Sequence, residues 1–231
     1  MKKSMVIVGV VAAALSLVAM TSCELEMGDD GERVATISYS DFVKDKNCTY
    51  IGDCSGETFV KDMSISADKG LTLSFGIPAA LTDDDQYLLF TNNTKQFGMT
   101  NGYLWPWTSE FSNGKGVNDS YLTGARTLMT KCVANSLYTI TFSSEGSIYF
   151  YIDGNLIGNG WTEASVADAA VWEGIKQFCQ HMLDAATSDG LLLMPTDVKQ
   201  LEVSEMKDVL YAEALTPEIV KALYECWKTK K

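Results

Sequence analysis

The residues best suited to recognition chemistry lie together in Tyr103-Leu104-Trp105-Pro106-Trp107, with Phe111 shortly after. Pro106 cannot donate to a sheet ladder, so this segment is expected on an edge strand or in a loop. If it is extended, Trp105 and Trp107 share one face and form an aromatic platform with Tyr103 beside them. Sugar rings stack on such faces through their apolar C–H surfaces, while a few polar groups fix orientation. Asn101 and Glu110, with Ser109 and Asn113, offer those groups. The competing use of the two tryptophans is to fill a core. Asp83-Asp84-Asp85, near Asn92 and Asn93, offers calcium a set of hard oxygen ligands. The spacing fits no defined calcium loop, and an acidic turn is ordinarily just solvated. No other cofactor is indicated.

Groups that could catalyse are sparse. The one histidine, His181, lies in a helical pattern with no evident nucleophile partner and reads as a surface or packing residue. Glycoside hydrolysis needs two carboxylates flanking one bond. Glu202 and Glu205 are three apart on an expected strand and so point to opposite faces. The chain therefore reads as a non-enzyme. Of six cysteines, Cys48, Cys54, Cys132, Cys179 and Cys226 remain once Cys23 is set aside, so at least one thiol stays unbridged. Cys48 and Cys54 are close enough in sequence to clip the polar loop 47–55 with a disulfide. One histidine and no Cys-x-x-Cys argue against a zinc site or a thioredoxin-like centre.

The N-terminus says where the protein goes. Lys2 and Lys3 precede an apolar run over residues 5–20, closed by Thr21 and Ser22, which is the layout of a secretory signal peptide. A spanning helix wants roughly 20 apolar residues, and this run is shorter. Met20-Thr21-Ser22-Cys23 resembles a bacterial lipobox, although Met20 stands where Leu is usual. The resemblance implies cleavage after residue 22 and lipidation of Cys23, a lipid anchor contributing about 0.8 kcal/mol per buried CH₂. Glu24, Glu26, Asp29, Asp30 and Glu32 follow, so residues 23–33 read as a solvated acidic tether. An acidic patch directly after the lipidated cysteine resembles the surface-export signal of Bacteroidetes lipoproteins. That implies a place in the cell outer membrane, facing the exterior. A plain periplasmic lipoprotein is the competing reading.

After cleavage about 200 residues remain, enough for one domain over 34–231. A net charge of −12 argues against nucleic acid as a partner and against attraction to an anionic lipid surface. Strands are expected over Val34 to Tyr39, Thr58 to Ile65 and Tyr87 to Phe90. In Leu71 to Phe75 the alternation of Leu71, Leu73 and Phe75 with Thr72 and Ser74 predicts a half-buried strand. Tyr138, Ile140 and Phe142, then Ile148, Phe150 and Ile152, predict a hairpin about Ser144-Glu145-Gly146. Asp153-Gly154 then turns the chain into a third strand at Leu156-Ile157. A helix is expected from Ala164 to Ala186, using Ala167, Ala170, Ile175, Phe178, Met182 and Ala186 as its face. It would either cover a sheet edge or present a partner-binding face. A C-terminal helix is capped by Thr216 with Pro217 in its first turn; Leu215 staples on Val220, and Ile219, Leu223 and Trp227 line one side.

Tyr138 to Phe142 followed by Ser147-Ile148-Tyr149-Phe150-Tyr151-Ile152-Asp153-Gly154-Asn155-Leu156-Ile157-Gly158 resembles the central hairpin of laminin-G-like (LamG), concanavalin A-like domains. Leu71 to Phe75 resembles an early core strand of that family, and Val209 to Ile219 its closing strand and cap. The resemblance implies an all-β fold, a concanavalin A-like jelly-roll β-sandwich, here with an inserted helix (about 164–193) and a C-terminal helix. That scaffold hosts lectins, adhesion modules and glycosidases, so fold alone does not choose among them. The Glu-x-Asp-x-x-Glu run of related glycosidases is absent. The expectation is therefore a non-catalytic surface lipoprotein that binds carbohydrate, a complex glycan, at Asn101, Tyr103, Trp105, Trp107 and Glu110. The alternatives are a protein-binding adhesion or envelope-assembly module, and a glycoside hydrolase with unrecognised catalytic residues.

Overall fold

The computed structural model describes residues 25–27, 33–35, 38–55, 58–77, 86–91, 95–100, 103–108, 135–193 and 205–230. The chain divides into two compact units, Met1–Ile37 and Ser38–Lys231. In the first, β1 (Leu25–Met27) pairs antiparallel with β2 (Arg33–Ala35), Glu26 opposite Val34. This ladder falls in and just after residues 23–33, the stretch expected to be an acidic tether. The signal peptide and Cys23 lie outside the described residues.

The second unit is built on two antiparallel sheets. The first comprises β3 (Thr49–Ser55), β5 (Leu71–Ile77), β9 (Ser136–Phe142), β10 (Ile148–Ile152), β11 (Asn155–Leu156) and β13 (Glu205–Ala212), in the order β11-β10-β9-β5-β13-β3. The second comprises β4 (Thr58–Val60), β6 (Gln86–Thr91), β7 (Lys95–Thr100), β8 (Tyr103–Thr108) and β12 (Leu191–Leu193), in the order β4-β12-β6-β7-β8. Among the described residues three α-helices accompany them: α1 (Tyr39–Asp45), α2 (Ala169–Asp184) and α3 (Pro217–Lys230).

The expected hairpin forms in register, Phe142 opposite Ile148 and Tyr138 opposite Ile152. Asp153 (φ 52°) and Gly154 (φ 73°) both sit in the left-handed region, as a two-residue type I′ turn requires. The Asp153 carboxylate then ties the turn to β9, accepting from Leu137 N at 2.8 Å and Ser136 Oγ at 3.1 Å.

Each face of the first sheet has its own apolar layer. Leu71, Leu73, Phe75, Tyr138, Ile140, Phe142, Ile148 and Phe150 share a core with Leu191 and Leu193 of the second sheet. Ile175, Phe178, Cys179, Met182 and Leu183 of α2 complete that core. The opposite face, carrying Leu137, Tyr151, Leu210 and Ala212, lies under α1 and α3 through Phe42, Val220, Leu223 and Trp227. Strand β5 is therefore buried along its whole length rather than half-buried. Its polar row is dry but paired: Thr72 Oγ1 meets Thr141 Oγ1 at 3.0 Å, and Ser74 Oγ meets Thr139 Oγ1 at 2.9 Å. The N–H of Leu215 donates to Thr72 Oγ1 at 2.9 Å, fixing the approach to α3.

Several boundaries differ from expectation. Tyr39 opens helix α1 rather than ending a strand, because the Ser38 hydroxyl caps the first turn by accepting from Asp41 N at 3.2 Å. The strand from Thr58 stops at Val60. Helix α2 begins at Ala169, since the Asp168 carboxylate accepts from Ala170 N (2.8 Å) and Val171 N (3.2 Å); Ala167 precedes it and is exposed. The apolar stripe of α2 is consumed by the core, so that stripe presents no partner-binding face.

Cys48 and Cys54 are both free thiols, which corrects the expected disulfide. Cys48 immediately precedes β3 and Cys54 lies near its end, and six extended residues at ~3.3 Å each hold the pair about 20 Å apart. A disulfide needs Cα atoms within about 4.4–6.8 Å.

Candidate functional site

Two places in the second unit gather chemistry. The first is the sheet edge expected from the sequence. Strand β8 carries Tyr103, Trp105, Pro106 and Trp107 and stands last in the second sheet, paired with β7 so that Trp105 is opposite Gly98 and Pro106 opposite Phe97. The proline thus sits on an edge strand, as its missing N–H demands. Asn101, Glu110 and the proposed calcium ligands Asp83, Asp84 and Asp85 lie outside the described residues. Among the described residues no group of three or more His, Cys, Asp or Glu side chains is arranged to hold a metal.

The second place has no counterpart in the sequence analysis. Strand β13 pairs with β3 and β5, but its register shifts between Met206 and Val209 against β3 and between Lys207 and Leu210 against β5, leaving Asp208 in a bulge on both sides. Asp208 takes φ 53°, an uncommon conformation for a residue with a side chain. Its N–H donates to Asp53 Oδ1 at 3.0 Å, and Lys207 Nζ lies 3.3 Å from Asp53 Oδ2. The bulge aims the Asp208 carboxylate at α3. There Oδ2 accepts from Trp227 Nε1 at 2.8 Å, and Oδ1 accepts from Tyr50 Oη at 2.9 Å and from Lys230 Nζ.

Lys230 also lies against two aromatic rings. Its Nζ lies 5.1 Å from the Tyr39 ring centroid and 5.3 Å from that of Tyr50, within cation–π range. The two rings meet edge to face at 80°, with centroids 6.1 Å apart. The Tyr39 hydroxyl donates to the Asp208 carbonyl at 3.4 Å. A cleft of about 460 Å³ adjoins this cage, walled by Tyr39, Val43, Lys44, Tyr50 and Lys230. A second cleft, about 300 Å³, opens on the other side of Asp208 between Asp53, Ile77, Asn135, Lys207 and Trp227.

Burial pulls the Asp208 carboxyl upward, but hydrogen bonds from Lys230, Tyr50 and Trp227 outweigh it and hold the group below its ordinary value. It is therefore an ionised acceptor with its oxygens engaged, suited to fixing cations and donors rather than to carrying protons. The thiols are not activated either. Burial pushes Cys48 up to about 11 and Cys179 up to about 12, so both stay protonated near neutral pH. His181 is half-buried on α2.

Sequence reasoning missed this cluster because its members come from four elements. Tyr39 reads from sequence as the end of a strand, and the separation of Asp208 from Tyr50 is 158 residues. The only local signal was a Lys-rich last turn on an amphipathic C-terminal helix, which reads equally as a response to the helix dipole.

No family model matches the chain, and no curated protein matches it. Solved structures similar to it include the receptor binding domain of botulinum neurotoxin C/D mosaic serotype, at 13% identity over 75% of this chain and 42% of that one, with a TM-score of 0.44. The botulinum neurotoxin serotype D binding domain is 13% identical over 87% of this chain and 50% of that one, with a TM-score of 0.43. Trypanosoma rangeli sialidase is 10% identical over 70% of this chain and 23% of that one, with a TM-score of 0.40. The chain thus spans half or less of the length of each. By its own architecture the second unit is an antiparallel two-sheet β-domain with helices on both sides of its larger sheet.

Proposed function

We propose that this chain is a non-catalytic lipoprotein of the outer membrane, anchored by lipid on Cys23 and facing the cell exterior. Its concanavalin A-like, laminin-G-like jelly-roll domain, spanning 34–231, binds a complex glycan. The observation that carries the reading is strand β8, an aromatic edge strand with Tyr103, Trp105 and Trp107 along it and a proline at its centre. A sheet edge ordinarily invites strand addition by another chain. Pro106 removes one ladder donor from that edge, which favours a stacking ligand over a protein partner added as a strand.

The test is tryptophan fluorescence of the protein lacking its signal peptide, titrated with a polysaccharide panel with and without calcium. A saturable shift lost in Trp105→Ala and in Trp107→Ala supports the reading. Saturable binding unchanged in both variants moves the glycan elsewhere, and no binding to any glycan leaves a protein-partner module as the better description. Release of reducing sugar from any member of the panel would make the protein a glycosidase instead.

A further inference from the structure

We propose that Tyr39, Tyr50 and Asp208 form a binding site for a primary alkylammonium ligand, which the side chain of Lys230 occupies in this structure. The site does not depend on the glycan reading: it uses the helix-covered face of the first sheet, whereas β8 belongs to the second.

The argument starts from what Lys230 does there. Its ammonium lies over two tyrosine faces while donating to Asp208 Oδ1 and, at 3.3 Å, to Tyr50 Oη. Ammonium recognition combines these same features, π faces for the charge and an anionic acceptor for its N–H bonds. The walls are held by bonds that do not involve Lys230. Trp227 Nε1 fixes Oδ2 of Asp208, Tyr50 Oη fixes Oδ1, the Asp208 N–H is anchored on Asp53, and Tyr39 is buried with its hydroxyl on the Asp208 carbonyl. When Lys230 leaves, the cage keeps its shape and an ionised carboxylate faces two ring faces. The adjoining cleft of about 460 Å³ gives a ligand's alkyl body a place to lie against Tyr39 and Val43.

Lys230 is a displaceable occupant. It is the final residue of α3, where helices fray, and its side chain is 41% exposed. The mode of contact also selects the ligand: the occupant uses N–H donors, so a primary ammonium fits and a quaternary one cannot replace those bonds. Lys44 lines the same cleft and opposes a second positive charge, so the ligand carries one ammonium on an otherwise neutral body. The chain's overall charge of −12 draws such cations towards it.

The experiment titrates n-butylammonium chloride into wild type, Lys230→Ala and Lys230→Ala/Asp208→Asn, all lacking only the signal peptide. The readout is the indole N–H resonance of Trp227, assigned by its loss in Trp227→Phe. Lys230→Ala is expected to show a saturable shift at millimolar ligand. Wild type should bind several-fold more weakly, because its competent state is open only when Lys230 has left. The double variant should not respond, and tetramethylammonium should be several-fold weaker than n-butylammonium on Lys230→Ala. Tyr50→Phe, which keeps the ring at an exposed position, should retain binding with reduced affinity, providing a second variant if the double one is unfolded. No saturable shift in folded Lys230→Ala would overturn the proposal, as would equal affinity in wild type or an undiminished response in the double variant.

Discussion

Replacing Asp208 by Asn tests whether the β13 bulge holds α3 onto the sheet through charge. Asparagine tolerates the left-handed backbone at φ 53°, so the bulge itself is kept. What changes is acceptor capacity. Both carboxylate oxygens accept in the native protein, one from Trp227 and the other from Tyr50 and Lys230. Asparagine offers one acceptor oxygen and no charge. Hydrogen bonds to a charged group contribute about 1.5–3 kcal/mol against about 0.5–1.5 for neutral ones. The Lys230 pair is half-exposed and screened, so it adds little. Losing one acceptor and weakening the other should cost about 2 kcal/mol, lowering Tm by roughly 4–8 °C for a domain of this size. Asp208→Ala also places a Cβ without a compensating polar group in the left-handed region, and should cost about 1 kcal/mol more. The effect must follow pH. A carboxyl held below its ordinary value of 3.8 stabilises the fold above that pH and loses the contribution as pH falls through its folded pKa. Urea denaturation followed by far-ultraviolet circular dichroism should therefore show a constant gap between wild type and Asp208→Asn from pH 7 to about pH 5, narrowing below about pH 4. A gap under 0.5 kcal/mol at pH 7, or one unchanged at pH 3, would refute the reasoning.

Other outcomes follow from packing. Gly70→Ala should destabilise by about 3 kcal/mol or abolish folding, since φ is 76° and an added Cβ would lie 2.4 Å from the Phe142 carbonyl oxygen; thermal melts decide this. Phe178→Ala should cost about 3–5 kcal/mol in urea denaturation, because the ring is buried in the shared core. A cost under 1 kcal/mol would mean that α2 is peripheral. Thr72→Val should cost about 1–3 kcal/mol and more than Thr141→Val, because it also removes the acceptor of the Leu215 N–H. Under native conditions a thiol reagent should leave Cys179 unmodified while reaching the half-buried Cys48 slowly, and non-reducing peptide maps should contain no Cys48–Cys54 link.

The elements legible from sequence are those whose cause is local. Alternation in Tyr138 to Phe142 and Ile148 to Ile152 specifies two faces, and Asp153-Gly154 supplies the turn conformation that sets their register. Thr216, Pro217 and the apolar spacing of Ile219, Leu223 and Trp227 specify α3 in the same way, although Val220 is buried where Ile219 is only half-buried. Pro106 places its strand at an edge because a missing donor is a property of one residue. What tertiary structure decided is everything that depends on which surfaces meet. Thr72 and Ser74 look solvent-facing in a period-2 reading; only the arrival of α3 makes them interior, and their hydrogen bonds to Thr141 and Thr139 make that burial tolerable. Cys48 and Cys54 are near in sequence but held apart by the extended backbone of β3. The bulge at Asp208 arises where β13 must satisfy β3 and β5 at once, and no run of residues on β13 announces it. Tyr39, Tyr50, Asp208 and Lys230 come together because a sheet ladder and a helix docking bring distant segments to one point. Local propensity fixes how each segment bends, while long-range pairing and burial decide which side chains become neighbours.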